Sequence, residues 1–403
     1  MRVSRWWNGE ETAMSEQTVS YVRTQLEEGL PPPVSSTGVL GWMRKNLFAS
    51  PRDIVLTLLG VLIVVWVAPP LYNFLIGKAV WVAENGDACR VAGTGACWAY
   101  VWDRLDFFIY GFYPLDPRFA DQPGILGTLL GYWRINLVFI VGLVLLIPLL
   151  WPKVPYKVLN ALLFFVAFPI MVYYLLNGGV LGLAEVPTEK WGGLTVTLII
   201  GLVGIVTSLP LGILLALGRQ SKLPIIKVAC VMFIELWRSV PLITVLFMAS
   251  IMLPLFAPEG VTVDKLLRAL VGVALFNSAY MAEVVRGGLQ AMPRGQYEAA
   301  AALGLNYWKR MILIILPQAL KHVIPGIVNT FIALFKDTSL VSIIGIFDIL
   351  KTVQSSTADL NWTSPSQAIT GYIFAAMVFW VFCFSMSRYS QYMERRLNTG
   401  HKR

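Results

Sequence analysis

About eight stretches of roughly twenty residues run through this chain almost without charge, each long enough to cross the hydrocarbon core of a bilayer. They lie near 54–76, 134–151, 157–176, 193–217, 224–254, 266–286, 312–336 and 367–388. Inside lipid a backbone must satisfy its own hydrogen bonds, so each is read as a helix. The expected fold class is an all-α polytopic membrane protein. Composition agrees: 14% of residues are charged, against about a quarter in a water-soluble domain. The first stretch is too long, and too far from the first residue, to be a cleavable signal peptide.

A formal net charge of +9 could suit nucleic acid, but its distribution argues against that partner. Basic residues gather at Arg44, Lys45 and Arg52, at Lys153 and Lys157, and at Arg219, Lys222 and Lys227. They recur at Arg294, Lys309 and Arg310, then at Arg388, Arg395, Arg396, Lys402 and Arg403. With eight spans, all of these clusters fall on the side of both termini, while the opposite loops near 177–192 and 255–265 hold almost none. By the positive-inside rule both termini are expected to be cytoplasmic, with the bilayer itself as the first partner.

Residues 1–53 read as a polar cytoplasmic lead-in, partly disordered, and 391–403 as a basic cytoplasmic tail. Residues 54–176 hold three spans and a large outer loop, 77–133, carrying Asp87, Asp103, Asp106, Asp116 and Asp121 among many aromatics. Cys89 and Cys97 flank RVAGTGA in that loop. An oxidising compartment would permit a disulfide there, and two free thiols fit the spacing equally well. Cys230 and Cys383 lie in spans and read as packing residues. From about 190 the texture changes: Gly and Thr allow close helix approach, and Pro210, Pro241, Pro317 and Pro325 interrupt the spans. The second half shows no duplication of the first, so the three leading spans read as an addition to a five-span core at 190–390.

One cytoplasmic stretch breaks the pattern: EAAAALGLNYWKRMILIILP, residues 298–317, within a loop covering 287–317. Gly287, Gly288, Pro293 and Gly295 stop the sixth span. Gln296 to Leu303 is alanine-dense and helix-forming. Gly304 suits a left-handed cap, Asn306 an N-cap for a second helix, and Pro317 a bend into the seventh span. Two short helices and a sharp corner are predicted. Ala299 and Ala300 give a face of little bulk, Tyr307 and Trp308 supply apolar anchors, and Glu298, Lys309 and Arg310 supply rim charges. Docking against another protein and resting on lipid headgroups both fit.

Glu298-Ala299-Ala300, Gly304, Ile314 and Leu316-Pro317 together resemble the EAA signature of the permease subunits of bacterial ABC importers. The flanks ELWRSVPLITVLF, NSAYMAEVVRGGLQAMPRGQYEAAAALGL and LFKDTSLVSIIG are similar to the polar amino-acid permeases of the histidine/glutamine type. The three extra spans and outer loop resemble the general L-amino-acid permease subunits over the full length. The resemblance implies a type I importer core, with 287–317 as coupling helices that dock into a separate ATP-hydrolysing subunit present as two copies. It also implies a second, paired permease, a periplasmic amino-acid-binding protein and a place in the bacterial inner membrane. ATP and Mg would be bound by the partner ATPase. No GxxxxGK[ST] loop occurs in this chain, so it is expected to be neither an enzyme nor a holder of any cofactor.

Passage of an amino acid needs both signs of charge or exposed helix ends. Glu235 and Arg238, three apart in the fifth span, are one candidate pair, expected ~16 Å deep by helical rise; an internal ion pair that locks two helices together is the competing reading. Asn277, Glu283 and its neighbour Arg286 lie in the sixth span, with a structural or gating role favoured for the charged pair. Lys336, Asp337, Thr338 and Ser339 lie toward the outer end of the seventh, read either as passage lining or as paired interfacial charges. His322 has no ligating neighbours and reads as packed or interfacial; no metal site or nucleophilic triad is in view. An ion-coupled secondary transporter is the alternative, for which two related halves would be expected.

Overall fold

The computed structural model describes residues 38–119, 122, 124–151, 154–180, 182–256, 258 and 263–397. Asp121, Lys153, most of the lead-in and the end of the basic tail lie outside the described residues. Among those described, the backbone is helical apart from turns, loops and two isolated bridges, Val80 with Cys97 and Gly193 with Asp348.

Seven helices have the length and apolarity of a span: Pro51–Gly77, Trp133–Leu150, Lys157–Asn177, Gly193–Arg219, Lys265–Ala291, Ile324–Ile344 and Gln367–Leu397. Pro224–Ser239 and Leu242–Leu255 form the remaining pair, bent by 106°. They are numbered one to eight in chain order, the bent pair being the fifth. The face carrying Glu298–Pro317 is termed inner and the opposite face outer.

Two sequence boundaries are corrected. The run 224–254 is not one straight span: Pro241 forces Val240 into an extended backbone (ψ 135°), which ends the first helix and re-aims the second. The seventh span starts at Ile324, not near 312. Pro317 does not bend the chain into it. A wide turn at Met311–Ile315 carries the helix past that proline to His322, and the break falls at Val323 (φ −110°, ψ 12°). His322 is exposed at that break.

In the amino-terminal part, helix Gly38–Asn46 stands inside the expected lead-in. The first span opens with Pro51 at its start, Ser50 Oγ accepting from Asp53 N (3.2 Å) and donating to Asp53 Oδ2 (2.7 Å). It is apolar all round, as a lipid-facing helix is.

From Tyr72 onward the fourth and sixth spans form the central pair. A Cβ at Gly212 would stand 2.7 Å from Met281, so only glycine lets these two helices lie so close. The main apolar cluster joins that pair to the added helices: Ile135, Phe168 and Leu176 lie in one cluster with Val196, Ile200, Val273 and Leu334. The added helices are tied at their outer ends by polar bonds. Tyr113 Oη donates to Leu176 O (2.9 Å), Arg134 Nη1 to Ala184 O (2.8 Å), and Val186 N to Asn177 O (2.7 Å).

The outer loop folds into a cap of its own. Short helices Asp87–Arg90, Trp98–Asp103 and Leu105–Tyr110 surround buried Tyr100 and Phe108, and Cys89 is disulfide-bonded to Cys97. This cap is locked to the connection between the seventh and eighth spans. Trp362 Nε1 donates to Asp103 Oδ2 (2.8 Å), Arg90 Nε to Thr363 O (2.8 Å), Gly86 N to Asn361 O (2.8 Å) and Cys97 N to Thr370 Oγ1 (3.0 Å). Arg104 pairs with Asp359, and the Tyr100 hydroxyl meets that of Ser356. Beneath the cap, Asp348 is fully buried as the N-cap of helix Ile349–Ser356, accepting from Leu350 N and Lys351 N. Burial pushes its carboxyl up to about 6, although those two donors pull the other way.

Candidate functional site

The inner corner is built from Arg294–Ala302 and a second helix beginning at Tyr307. The first helix ends as its composition predicts. Gly304 adopts φ +73°, with Gly304 N donating to Ala301 O (2.9 Å) and Leu303 N to Ala299 O (3.1 Å). Two residues on, the Asn306 side chain accepts from Lys309 N (2.9 Å) and starts the second helix. A left-handed cap followed within two residues by an N-cap makes the turn tight and stiff.

One side of this corner sits on the spans. Ala300, Met311 and Ile315 are buried, the last two in a cluster with Leu217, Met281, Val285, Leu289 and Ile327. Tyr297 Oη donates to Leu289 O (3.3 Å), and Gln318 Nε2 to Gln296 Oε1 (3.3 Å). The other side is bare. Leu303 is 75% exposed, Trp308 58% and Tyr307 44%, the two aromatic rings meeting edge to face at 5.4 Å. Ala299, Ala301, Ala302, Glu298 and Lys309 are exposed beside them, and Arg310 is half-buried. None of Glu298, Lys309 and Arg310 forms an ion pair among the described residues. Pro317 lies exposed farther along the same helix, which continues to His322. A stiff corner with unpaired charge around exposed aromatics has the anatomy of a protein-binding edge.

Just above the corner the intramembrane charges gather in a way the sequence did not reveal. Glu283 is the hub. Its Oε2 accepts from Arg286 Nε (2.9 Å) and Nη2 (2.7 Å), and its Oε1 from Arg219 Nη1 (2.7 Å). Arg219 Nη1 also reaches Glu235 Oε1 (2.9 Å), and Arg238 Nη1 stands 3.7 Å from Glu283. The Arg238 guanidinium lies over the Tyr280 ring at 5.7 Å. The cluster ties the fourth, fifth and sixth spans together. Glu235 and Arg238 therefore pair outward to other helices, not with each other. Glu235 is also not deep in the membrane: its partner Arg219 is the last residue of the fourth span. The depth of ~16 Å assumed that Pro224–Ser239 stands upright, whereas the pairing of Glu235 with Arg219 sets it beside the inner end of the fourth span. Arg219 was missed as a functional side chain; the signal was two span carboxylates, Glu235 and Glu283, needing a cation.

The remaining candidates divide by what their polar atoms already do. Asn277 is buried and donates to Val273 O (2.9 Å) on its own helix. Thr338 is buried with its hydroxyl on Phe335 O (2.8 Å), and Ser339 Oγ donates to Lys336 O (2.9 Å). Lys336 is exposed and Asp337 half-buried, at the end of helix Ile324–Asp337. Among the described residues no group of acidic, histidine or cysteine side chains is arranged to hold a metal ion.

Comparison with known proteins adds to this geometry. The family described as Binding-protein-dependent transport system inner membrane component matches residues 208–399. The Inner membrane amino-acid ABC transporter permease protein YhdY of Escherichia coli (strain K12) is 53% identical over 373 residues, 92% of this chain and 96% of that protein. The Glutamate/glutamine/aspartate/asparagine transport system permease protein BztC of Rhodobacter capsulatus is 40% identical over 95% of this chain and 99% of its own length. The L-cystine transport system permease protein TcyB of Bacillus subtilis (strain 168) is 31% identical over 207 residues, 51% of this chain and 86% of its own.

Proposed function

Since this chain belongs to the amino-acid ABC transporter permeases, we propose that its Glu298–Pro317 corner is the handle by which a separate ATP-hydrolysing subunit moves the spans. The chain is a transmembrane permease subunit of an ATP-driven amino-acid importer in the inner membrane, not an ion-coupled secondary transporter. An importer of this kind works with an ATP-hydrolysing subunit and a substrate-binding protein. The finer arrangement proposed is two ATPase copies below, a second permease beside this chain and an amino-acid-binding protein above, with both termini cytoplasmic.

The observation that carries the reading is the two-sided corner. Its inward side is fixed to the cluster around Met311 and Ile315, while Leu303, Tyr307 and Trp308 are left uncovered. A push on the bare side is transmitted through a stiff element to the fourth, sixth and seventh spans. Lys336 and Asp337 are proposed to line the passage, since their charges, unlike the polar groups of Asn277 and Thr338, are not spent within one helix. The Arg219–Glu235–Glu283–Arg286 cluster, with Arg238, is proposed as an inner tie and not as a substrate site. L-amino acids are the proposed cargo.

Gly304→Asp tests the coupling role. A Cβ at Gly304 meets nothing within 4 Å, and Asp tolerates a left-handed backbone better than most residues. The variant should therefore fold but release the ATPase subunit. Co-purification with the ATPase and transport in vesicles are the measurements; an intact, transport-active complex would defeat the assignment. For the passage, Asp337→Asn should reduce uptake while basal ATP hydrolysis by the complex persists. Unchanged uptake removes Asp337 from the passage.

A further inference from the structure

At the outer ends of the added helices, hydrogen bonds from Tyr113, Arg134 and Val186 hold the third span and the loop that follows it, and just below them the seam with the core opens. A groove of about 770 Å³ lies there. Its walls include Leu143 and Leu146 of the second span, Phe168 and Val172 of the third, and Leu198 and Leu202 of the fourth. Along the fourth span it runs from Leu194 to Val203, which at helical rise is about 14 Å. That is close to one leaflet of a hydrocarbon core of roughly 30 Å.

Such a space does not stay empty in a bilayer. Unfilled, its leucine and phenylalanine walls lose dispersion contacts on one side. Its few polar lining groups, such as Asn177 and Thr195, lie toward the outer end, so water gains little among the leucines and phenylalanines further in. The rim carries one sign of charge: Glu185, Glu189 and Asp264 all line it. Asp264 caps the sixth span, accepting from Leu267 N (2.9 Å) and from the Thr188 hydroxyl. Glu185 and Glu189 are exposed and meet no cation within ion-pair distance among the described residues. The nearby Lys265 is turned toward Gly345, its Nζ 3.1 Å from where a Cβ there would stand, and does not line the groove.

We propose that this groove holds one phospholipid from the outer leaflet, its acyl chains filling the seam and its ammonium-bearing head group among Glu185, Glu189 and Asp264. The depth of the groove argues for an acyl chain. The carboxylate rim argues for an aminophospholipid over an anionic lipid, which it would repel. The lipid then acts as the missing packing layer between the added helices and the core.

The test is native mass spectrometry with lipid quantification. The assembled transporter would be extracted into detergent from membranes containing phosphatidylethanolamine and phosphatidylglycerol, then washed until loosely held lipid is gone. One phosphatidylethanolamine should remain per copy of this chain, enriched about fivefold over phosphatidylglycerol relative to the membrane. Leu198→Trp with Leu202→Phe should fill the groove and expel it. Glu185→Gln with Glu189→Gln should leave a lipid bound while the enrichment falls toward one. Ile225→Trp, exposed on the fifth span and absent from the groove walls, should change neither reading. Four results would overturn the proposal: no retained lipid in the unmodified complex, retention indifferent to groove filling, enrichment blind to the head group, or a polypeptide seated in the groove.

Discussion

The outer cap and the inner corner are both extramembrane structures made of short helices, yet they satisfy their side chains in opposite ways. The cap covers Tyr100, Phe108 and Trp362, while Trp102 stays exposed at its surface, and it spends charge internally: Asp103, Arg104 and Asp359 bond to one another's segments. The corner is stiff at Gly304 and Asn306 but keeps Leu303, Tyr307 and Trp308 in the open, with Glu298, Lys309 and Arg310 unpaired among the described residues. The cap's main polar bonds are made within this chain; the corner leaves its polar and aromatic groups available to the partner proposed above. Exposed aromatic surface on a rigid frame marks where another molecule belongs.

Four substitutions break or sharpen that contrast, in decreasing order of effect. Trp362→Ala removes the ring packed against Tyr100 and the donor to Asp103. It should cost the outer region about 3–5 kcal/mol, seen as a lowered unfolding temperature, with ATPase association unchanged. Asp348→Asn probes the charge buried beneath the cap. The folded carboxyl titrates near 6 against 3.8 when unfolded, so the fold holds a proton the unfolded chain has lost. Its stabilising contribution is full below pH 4 and lost as pH rises through 6, a change of up to about 3 kcal/mol. The asparagine variant keeps an N-cap and should flatten that slope in unfolding curves taken between pH 4 and 7. Trp308→Ala should leave the chain's own unfolding temperature within a degree or so. Affinity for the ATPase subunit should fall by about 30-fold, a hot-spot loss of roughly 2 kcal/mol; a pull-down titration measures it, and loss of fold stability instead would place Trp308 with the cap residues. Glu235→Gln removes a carboxylate that is 55% exposed from the Arg219 tie. It should shift stability by under about 1 kcal/mol, whereas a larger shift in a thermal melt would mean that the tie is more deeply desolvated than its exposure indicates.

Much of this architecture is legible in the residues. Apolar length alone marks the spans, because a bilayer leaves a spanning chain few options. Gly304 and Asn306 could be assigned their caps because both depend on local backbone geometry. What fails is whatever depends on direction. Pro241 was visible as an interruption, but its 106° consequence was not. Pro317 looked like a bend and is instead carried through by the wide turn at Met311–Ile315, a backbone adjustment that no residue type announces. Arg219 read as one loop cation among several, since its two carboxylate partners lie 16 and 64 residues further along the chain. The partners of the 77–133 loop were not legible either: Tyr100 meets Ser356 and Trp362, and Arg104 meets Asp359, far beyond any sequence window.

That last pairing sets a schedule for biogenesis. At roughly 5–20 residues per second, the ribosome needs on the order of ten seconds to a minute to travel from the cap's helices to the segment that closes them. During that wait Tyr100 and the backbone at Gly86 lack Ser356, Trp362 and Asn361, and only contacts within the cap, among them the Cys89–Cys97 disulfide, are available to hold them. Nascent chains stalled before the seventh span should therefore be protease-sensitive at 98–110, and those stalled after the eighth should not.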